Sequence, residues 1–222
     1  MKLLVNKCPM SDFQKSEEAK VLKERLAAFK AKIEVVKKEI TPELLEFFVS
    51  LGMEGERSSV VLGAERINVA LEVLIQNSLY PSANRKDSLF MPDGILGSFS
   101  SKIEMAYRLG LIDLSFKQAL DIIRKLRNSF AHAIKVESLE FGSHADRVKA
   151  LYKLVVKGNE KVIETFSEAF LDAAKEAEVQ VPPEQVRAYL SCIILLLLKL
   201  ELTRHFAHRP DVLLPAKLNY KE

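Results

Sequence analysis

Three side chains near the middle of the chain, Arg127, Asn128 and His132, carry the functional groups best suited to chemistry. An imidazole can move a proton near neutral pH, and a guanidinium holds or neutralises a phosphate. With no obvious set of metal ligands beside them, they suggest acid–base cleavage of RNA, in which the ribose 2′-OH supplies the nucleophile. We therefore assign His132 to proton transfer, Arg127 to the phosphate or the transition state, and Asn128 to positioning. The alternative is a capping histidine beside a surface arginine.

These residues lie at the end of a predicted helix over residues 115–132. Ser115 and the glutamine three positions later form a capping-box pattern that would start it. Apolar residues at three- and four-residue steps predict its buried stripe: Ala119, Ile122, Ile123, Leu126 and Phe130. On a regular helix Asn128 and His132 share a face, whereas Arg127 lies about 140° from His132. Both can serve one site only if the helix frays or a partner subunit supplies one of them.

The formal charge of +3 is mild, so composition neither requires nor excludes a nucleic-acid partner. Cations are concentrated in the segment 102–132, where they exceed the acids by as much as in the whole protein. We take Lys102, Arg124 and Lys125 as candidate RNA contacts. A solvated helix face is the alternative explanation of this charge.

The overall composition is that of a folded helical protein. Of 222 residues, 48% are hydrophobic and 28% charged, with eight glycines, eight prolines and few alternating β-branched runs. Cys8 and Cys192 are isolated, and the N-terminus lacks an apolar signal core, which favours a reducing, cytoplasmic location. The apolar run 192–198 is too short for a membrane span and is better assigned to a core helix, so we expect no membrane partner.

We predict an all-α fold in one domain, residues 1–222. Its core covers about residues 56–143, with N-terminal helices in 11–53 and further helices and a tail in 144–222. The helices are expected at 11–40, 41–52, 56–79, 98–110, 115–132, 145–157, 159–178 and 183–208. A long loop should cover 80–97. On the 56–79 helix, Glu65, Asn68 and Glu72 lie off the buried stripe, so they are solvated or one of them faces the polar end of the 115–132 helix.

Two other groups of residues could carry chemistry. His205, His208 and Asp211 could form one side of a metal site, although histidines three residues apart near a helix end are more often ordinary polar residues. Ser98, Ser100 and Ser101 lie beside Lys102, but no acyl-transfer motif surrounds them. His144 has no companion in the sequence. We therefore expect neither a metal nor another cofactor.

Two segments together resemble known families. GILGSFSSKIEMAYRLGLI at 94–112, followed by RKLRNSFAH at 124–132, is similar to the mannitol operon repressor family and to the HEPN superfamily of helical domains. The HEPN signature is an arginine, a polar residue and then a histidine after four to six intervening positions. Arg127, Asn128 and His132 match it with four. The resemblance covers about residues 58–143.

The two groups imply different functions. HEPN proteins are typically metal-independent endoribonucleases of toxin–antitoxin or antiviral systems, in which the arginine and histidine of two protomers meet at a dimer interface. Some only bind RNA or protein. This resemblance implies a homodimer, RNA as substrate and an antitoxin as a partner. The mannitol repressor family implies a non-enzymatic transcriptional regulator. Because no DNA-reading helix is evident in this chain, such a regulator would act through a protein partner such as a transcription factor.

Overall fold

The computed structural model describes residues 46–47, 50–52, 54–82, 84, 86–133, 137–176 and 180–206. These residues form helices and no strand, so the predicted all-α fold is confirmed. The helices are α1 (Glu56–Ser78), α2 (Phe99–Arg108), α3 (Leu114–His132), α4 (Gly142–Val156), α5 (Glu160–Glu176) and α6 (Glu184–Phe206), with a 3₁₀ helix at Ser88–Phe90. The helix predicted at 11–40, the start of the one predicted at 41–52 and the tail lie outside the described residues.

Helix α6 is the centre of the bundle and contacts α1, α4 and α5. It is apolar on all sides, which is typical of a helix surrounded by protein, and its residues from Tyr189 to Leu197 are buried. The Tyr189 hydroxyl donates a hydrogen bond to the Val60 carbonyl of α1 over 3.1 Å. Burial raises the pKa of the Tyr189 phenol and of the Cys192 thiol. Among the described helices, none has the length and apolar character needed to cross a membrane.

Helices α1, α2 and α3 pack against one another and position the candidate site. The spacing of α1 predicts a buried stripe of Val60, Ala64, Ile67, Leu71, Leu74 and Ser78. All of these are buried except Ser78, which is half-buried. In α3, Leu120 is buried and Ile122 is half-buried, the reverse of what the spacing suggested for these two residues. The reason is that α3 is contacted by three helices, α1, α2 and α4, so its buried surface is not the single stripe that the spacing suggested.

The turn between α2 and α3 fixes how α3 begins. Gly110 has a positive φ of 70°, and its N–H donates to Tyr107 while the next N–H donates to Ala106. These two hydrogen bonds form a Schellman cap, which ends α2. The predicted start of α3 at Ser115 is wrong. Asp113 is the N-cap, because its carboxylate accepts the Phe116 N–H at 2.7 Å.

The segment between α1 and α2 is a compact loop. Within it the Leu96 N–H donates to the Leu89 carbonyl at 2.8 Å, and Leu96 is buried in the core. Gly94 is required by this packing, since a Cβ there would lie 2.2 Å from the Ser88 carbonyl oxygen. The loop therefore has a defined shape over its described residues.

Candidate functional site

The last turn of α3 carries all three residues of the predicted catalytic set. The helix remains regular to His132, and Ala133 then turns to an extended conformation. Arg127 and His132 therefore keep their separation of about 140° around one helix. Asn128 lies between them on the side facing solvent. Within one subunit the arginine and the histidine do not converge.

Arg127 is anchored loosely on the side of α3 that faces α1. Its Nη1 donates to the Asn128 Oδ1 at 3.3 Å, and its Nη2 lies 4.0 Å from the Glu65 carboxylate. The Arg127 side chain is 39% exposed and that of Glu65 is 49% exposed. An ion pair this long and this exposed stabilises a fold by about 0–1 kcal/mol. The guanidinium is therefore held near its place but stays open to an anion from solvent.

His132 is exposed, and within the described part of the chain its side chain has no hydrogen bond or ion pair. It occupies the final helical position, on the same side of α3 as Asn128. An imidazole so placed can exchange protons with a bound molecule. Among the described residues, no neighbouring group orients this imidazole.

Glu65 also connects Arg127 to a row of polar side chains along α1. Its Oε1 accepts a hydrogen bond from Asn68 at 3.1 Å, and the Asn68 Oδ1 accepts one from Lys102 at 3.2 Å. The Lys102 ammonium also lies 2.5 Å from the Glu72 carboxylate. We call Glu65, Asn68 and Glu72 the α1 polar row. It connects the Arg127 guanidinium to α2 through contacts on α1. Of the three residues, Glu65 is the one that faces the polar end of α3.

The position of Lys102 does not fit the predicted RNA contact. Its side chain is only 4% exposed, and its ammonium faces the α1 polar row instead of solvent. The reason is its place on α2 beside Ile103, on the face that packs against α1. Burial with a carboxylate and an amide satisfies the charge. Lys102 therefore connects two helices and is unavailable to a large ligand.

The other two predicted RNA contacts are on the outer face of α3. Lys125 is exposed and, in the described residues, forms no ion pair. Arg124 is half-buried, with Nη2 at 3.4 Å from Asp121, and its Nε has no hydrogen-bond partner. Asp121 also pairs with Lys117 at 3.4 Å, and this carboxylate raises the pKa of Lys117. Lys125 is thus the more available cation of the two.

Two arginines that the sequence did not single out also lie at the end of α3. The Arg57 Nη2 donates to the Ala131 carbonyl at 3.2 Å, and the Arg147 Nη1 donates to the Ser129 hydroxyl at 3.4 Å. They reach α3 from α1 and α4, and Arg147 does so at Ser129, which lies about 160° around the helix from Arg127. Arg57 is 74 positions from its partner, and nothing in its local sequence indicates this contact.

His144 does have companions, contrary to its isolated place in the sequence. Its Nδ1 lies 3.1 Å from the Glu137 carboxylate, and its ring packs 5.3 Å from that of Phe130 on α3. The side chain is largely buried. These contacts hold the start of α4 against α3, so we assign His144 a packing role.

The residues considered for a metal are only partly described. His205 Nδ1 lies 3.0 Å from the Glu201 carbonyl oxygen, whereas His208 and Asp211 are outside the described residues. In the described ranges, no three His, Cys, Asp or Glu side chains are grouped as a metal site requires. Ser98 caps α2 by accepting the Ser101 N–H at 3.0 Å, with Lys102 directed elsewhere.

Comparisons of the chain with known protein families, with curated proteins and with solved structures give no match. The functional inference therefore depends on the chemistry of the α3 terminus and on the sequence resemblance described above.

Proposed function

We propose that this chain binds and cleaves RNA at the end of α3, as a HEPN-like, metal-independent endoribonuclease of toxin or defence type. The observation that supports this most is the exposure of the Arg127 guanidinium and the His132 imidazole on the same helix end. Arg57 and Arg147 add positive charge at the end of α3, and Lys125 is a further exposed cation about two turns before His132. A phosphodiester is the ligand that this combination suits.

The proposed step uses only the RNA and the protein side chains. A neutral His132 accepts the proton of the ribose 2′-OH while the 2′-oxygen attacks the adjacent phosphorus. The bond from phosphorus to the 5′-oxygen breaks, which leaves a 2′,3′-cyclic phosphate, and a protonated imidazole gives its proton to the leaving 5′-oxygen. The Arg127 guanidinium balances the charge that develops on the non-bridging oxygens. No metal ion is needed, because the ribose supplies the nucleophile.

A homodimer would solve the angular problem of a single helix. The outer face of α3 presents Asn128 and His132 to solvent, and a second copy placed against this face would bring its Arg127 toward the first copy's His132. Two imidazoles would then be present, one to accept and one to donate a proton. The dimer is part of the proposal, and crosslinking or light scattering measures it directly.

The Glu65 contact does not prevent Arg127 from acting on a phosphate. A pair at 4.0 Å between exposed groups is weak, so a phosphate can replace the carboxylate. Glu65→Gln should therefore leave RNA cleavage unchanged or increase it. If Arg127 served only to hold α1 against α3, Glu65→Gln and Arg127→Ala would both affect stability and leave RNA untouched.

The test is cleavage of a fluorescently labelled single-stranded RNA by purified protein, with a chelator present. We expect wild type to cut, and His132→Ala to lower the rate by about 10²–10⁴-fold. Arg127→Ala should lower it by about 10²-fold or more. The same RNA with 2′-O-methyl riboses should resist cleavage. Expression of the three proteins in cells should give growth arrest and RNA breakage with wild type alone.

Matched controls are Arg108→Ala and His205→Ala, since both side chains are exposed and lie on other helices. They should cut like wild type. Intact RNA with wild type at high protein concentration would refute the nuclease. So would equal cutting by His132→Ala, or cleavage of the 2′-O-methyl substrate.

One observation favours the second candidate, a regulator that resembles the mannitol repressor and acts through a protein partner. Leu62, Val69 and Val73 form an exposed apolar row on the outer side of α1, with 44%, 45% and 36% of their surfaces accessible. Such a row suits a protein partner better than RNA. This candidate predicts intact RNA and a transcription factor that co-purifies with wild type but is lost from Leu62→Lys. Sugar-transport genes next to the gene for this protein would favour the regulator, and defence genes there would favour the nuclease.

A further inference from the structure

A cavity of about 720 Å³ lies between α4, α5 and α6, and no residue of α3 contributes to it. Three cations line it: Lys149 and Lys153 from α4, and Arg187 from the first turns of α6. Glu184 is the acid among the lining residues. The cavity is therefore positively charged and independent of the candidate RNA site.

No carboxylate of the described residues neutralises these three cations. Within the described residues, none of them has a carboxylate at ion-pair distance. Lys149 and Lys153 are one helical turn apart, a spacing at which like charges repel. The Arg187 side chain is half-buried at the cavity wall, so its charge is screened by water less than a fully exposed charge would be.

The rest of the lining suits an apolar body. Ile163 is buried at the wall, Ala188 also lines the cavity, and Tyr152 offers a partly exposed ring. Ser167 and Ser191 add hydroxyl groups. The volume lies within the range of about 300–1,000 Å³ that is typical of small-molecule pockets. A bare inorganic ion would leave most of this space and its apolar wall unused.

We propose that this cavity binds a small organic anion. Its carboxylate or phosphate group lies among Lys149, Lys153 and Arg187, while a flat apolar body packs against Tyr152 and Ile163. The site requires both parts of the ligand. Charge alone would favour phosphate ions, and the apolar wall alone would favour neutral molecules.

Two probes of nearly the same shape separate these contributions. 1-Anilinonaphthalene-8-sulfonate carries an anionic group, and N-phenyl-1-naphthylamine has the same rings without it. Their fluorescence on binding to the full chain gives a dissociation constant for each. We expect the sulfonate to bind at least about tenfold more tightly, because a charge-assisted hydrogen bond contributes about that much or more. Added salt should reduce this preference.

Variants then locate the binding. Arg187→Gln should weaken binding of the sulfonate probe by about tenfold or more and leave the affinity for the neutral probe unchanged. Arg187→Lys should retain part of the preference for the sulfonate over the neutral probe. The double variant Lys149→Gln and Lys153→Gln changes only exposed side chains, so it tests the site without disturbing the fold. This double variant should weaken binding of the sulfonate probe by about threefold to tenfold. Lys86→Gln, an exposed control outside the cavity, should bind like wild type.

Displacement of the sulfonate probe identifies the acidic group. Benzoate and phenyl phosphate compare carboxylate with phosphate on the same ring, and inorganic phosphate tests the charge alone. We expect either aromatic acid to displace the probe at lower concentration than inorganic phosphate does. Equal affinity of the two fluorescent probes for wild type would overturn the proposal. Unchanged sulfonate binding in both Arg187→Gln and the double lysine variant would do the same.

Discussion

Replacing Lys102 by methionine should destabilise the fold. The Lys102 side chain is 4% exposed, and its ammonium contacts the Glu72 carboxylate at 2.5 Å and the Asn68 amide oxygen at 3.2 Å. Loss of the first contact costs about 1.5–3 kcal/mol and loss of the second about 1 kcal/mol. Glu72 is 30% exposed and regains part of its hydration, and methionine keeps the apolar stem buried. We therefore expect a net loss of about 1–3 kcal/mol in the free energy of unfolding.

The assay is urea denaturation followed by far-ultraviolet circular dichroism. Lys125→Met is the matched control, since this lysine is exposed on α3 and its replacement should change stability by less than about 0.5 kcal/mol. A double-mutant cycle with Glu72→Gln should give a coupling of about 1 kcal/mol between residues 72 and 102. RNA affinity, compared between fully folded samples, should fall in Lys125→Met and not in Lys102→Met.

The opposite pattern would refute this account of the two lysines. If Lys102→Met were as stable as wild type and lost affinity for RNA, its ammonium would have to be reachable from solvent. The α1 polar row would then not be its partner in solution.

Three further predictions concern the fold. Tyr189→Phe should lower the free energy of unfolding by about 1 kcal/mol, because the buried Val60 carbonyl loses a donor; urea denaturation measures it. Asp113→Ala should cost about 1 kcal/mol at neutral pH as α3 loses its cap. The Phe116 N–H lowers the Asp113 pKa, so this difference is complete above the ordinary aspartate value and vanishes as pH falls through the folded pKa, which denaturation at a series of pH values would show. Gly110→Ala should cost about 1–2 kcal/mol in thermal unfolding, since φ there is 70°.

Helix positions and the core helix were predictable because they follow from periodicity and from glycine and proline. The cap at Gly110 and the apolar run that includes Cys192 are examples. The start of α3 was predicted wrongly because two possible N-caps lie two positions apart. Ser115 fits a capping box, but Asp113 accepts the Phe116 N–H. The Ser115 hydroxyl donates to the Asp113 carboxylate at 2.8 Å. Spacing alone did not distinguish the two caps.

The surroundings of the candidate site depended on tertiary contacts that a single sequence does not contain. A lysine such as Lys102 is usually exposed, and this one is buried only because α1 packs against its helix. Arg57 reaches the end of α3 from a distant part of the chain. Arg127 and His132 lie outside the predicted buried stripe of α3, which agrees with their exposure. The sequence did not show which polar residue of α1 would pair with Arg127, and the structure places Glu65 there.

Because Cys192 is buried, the rate at which its thiol is alkylated can report how often the helical bundle opens. Its sulfur lies inside α6, where burial keeps it in the unreactive thiol form, and alkylating reagents attack the thiolate. In a Cys8→Ser background, the rate of alkylation at saturating reagent would equal the rate at which the central helix becomes accessible. The same thiol would show whether a ligand in the cavity beside Arg187 delays that event, without any dye attached to the protein.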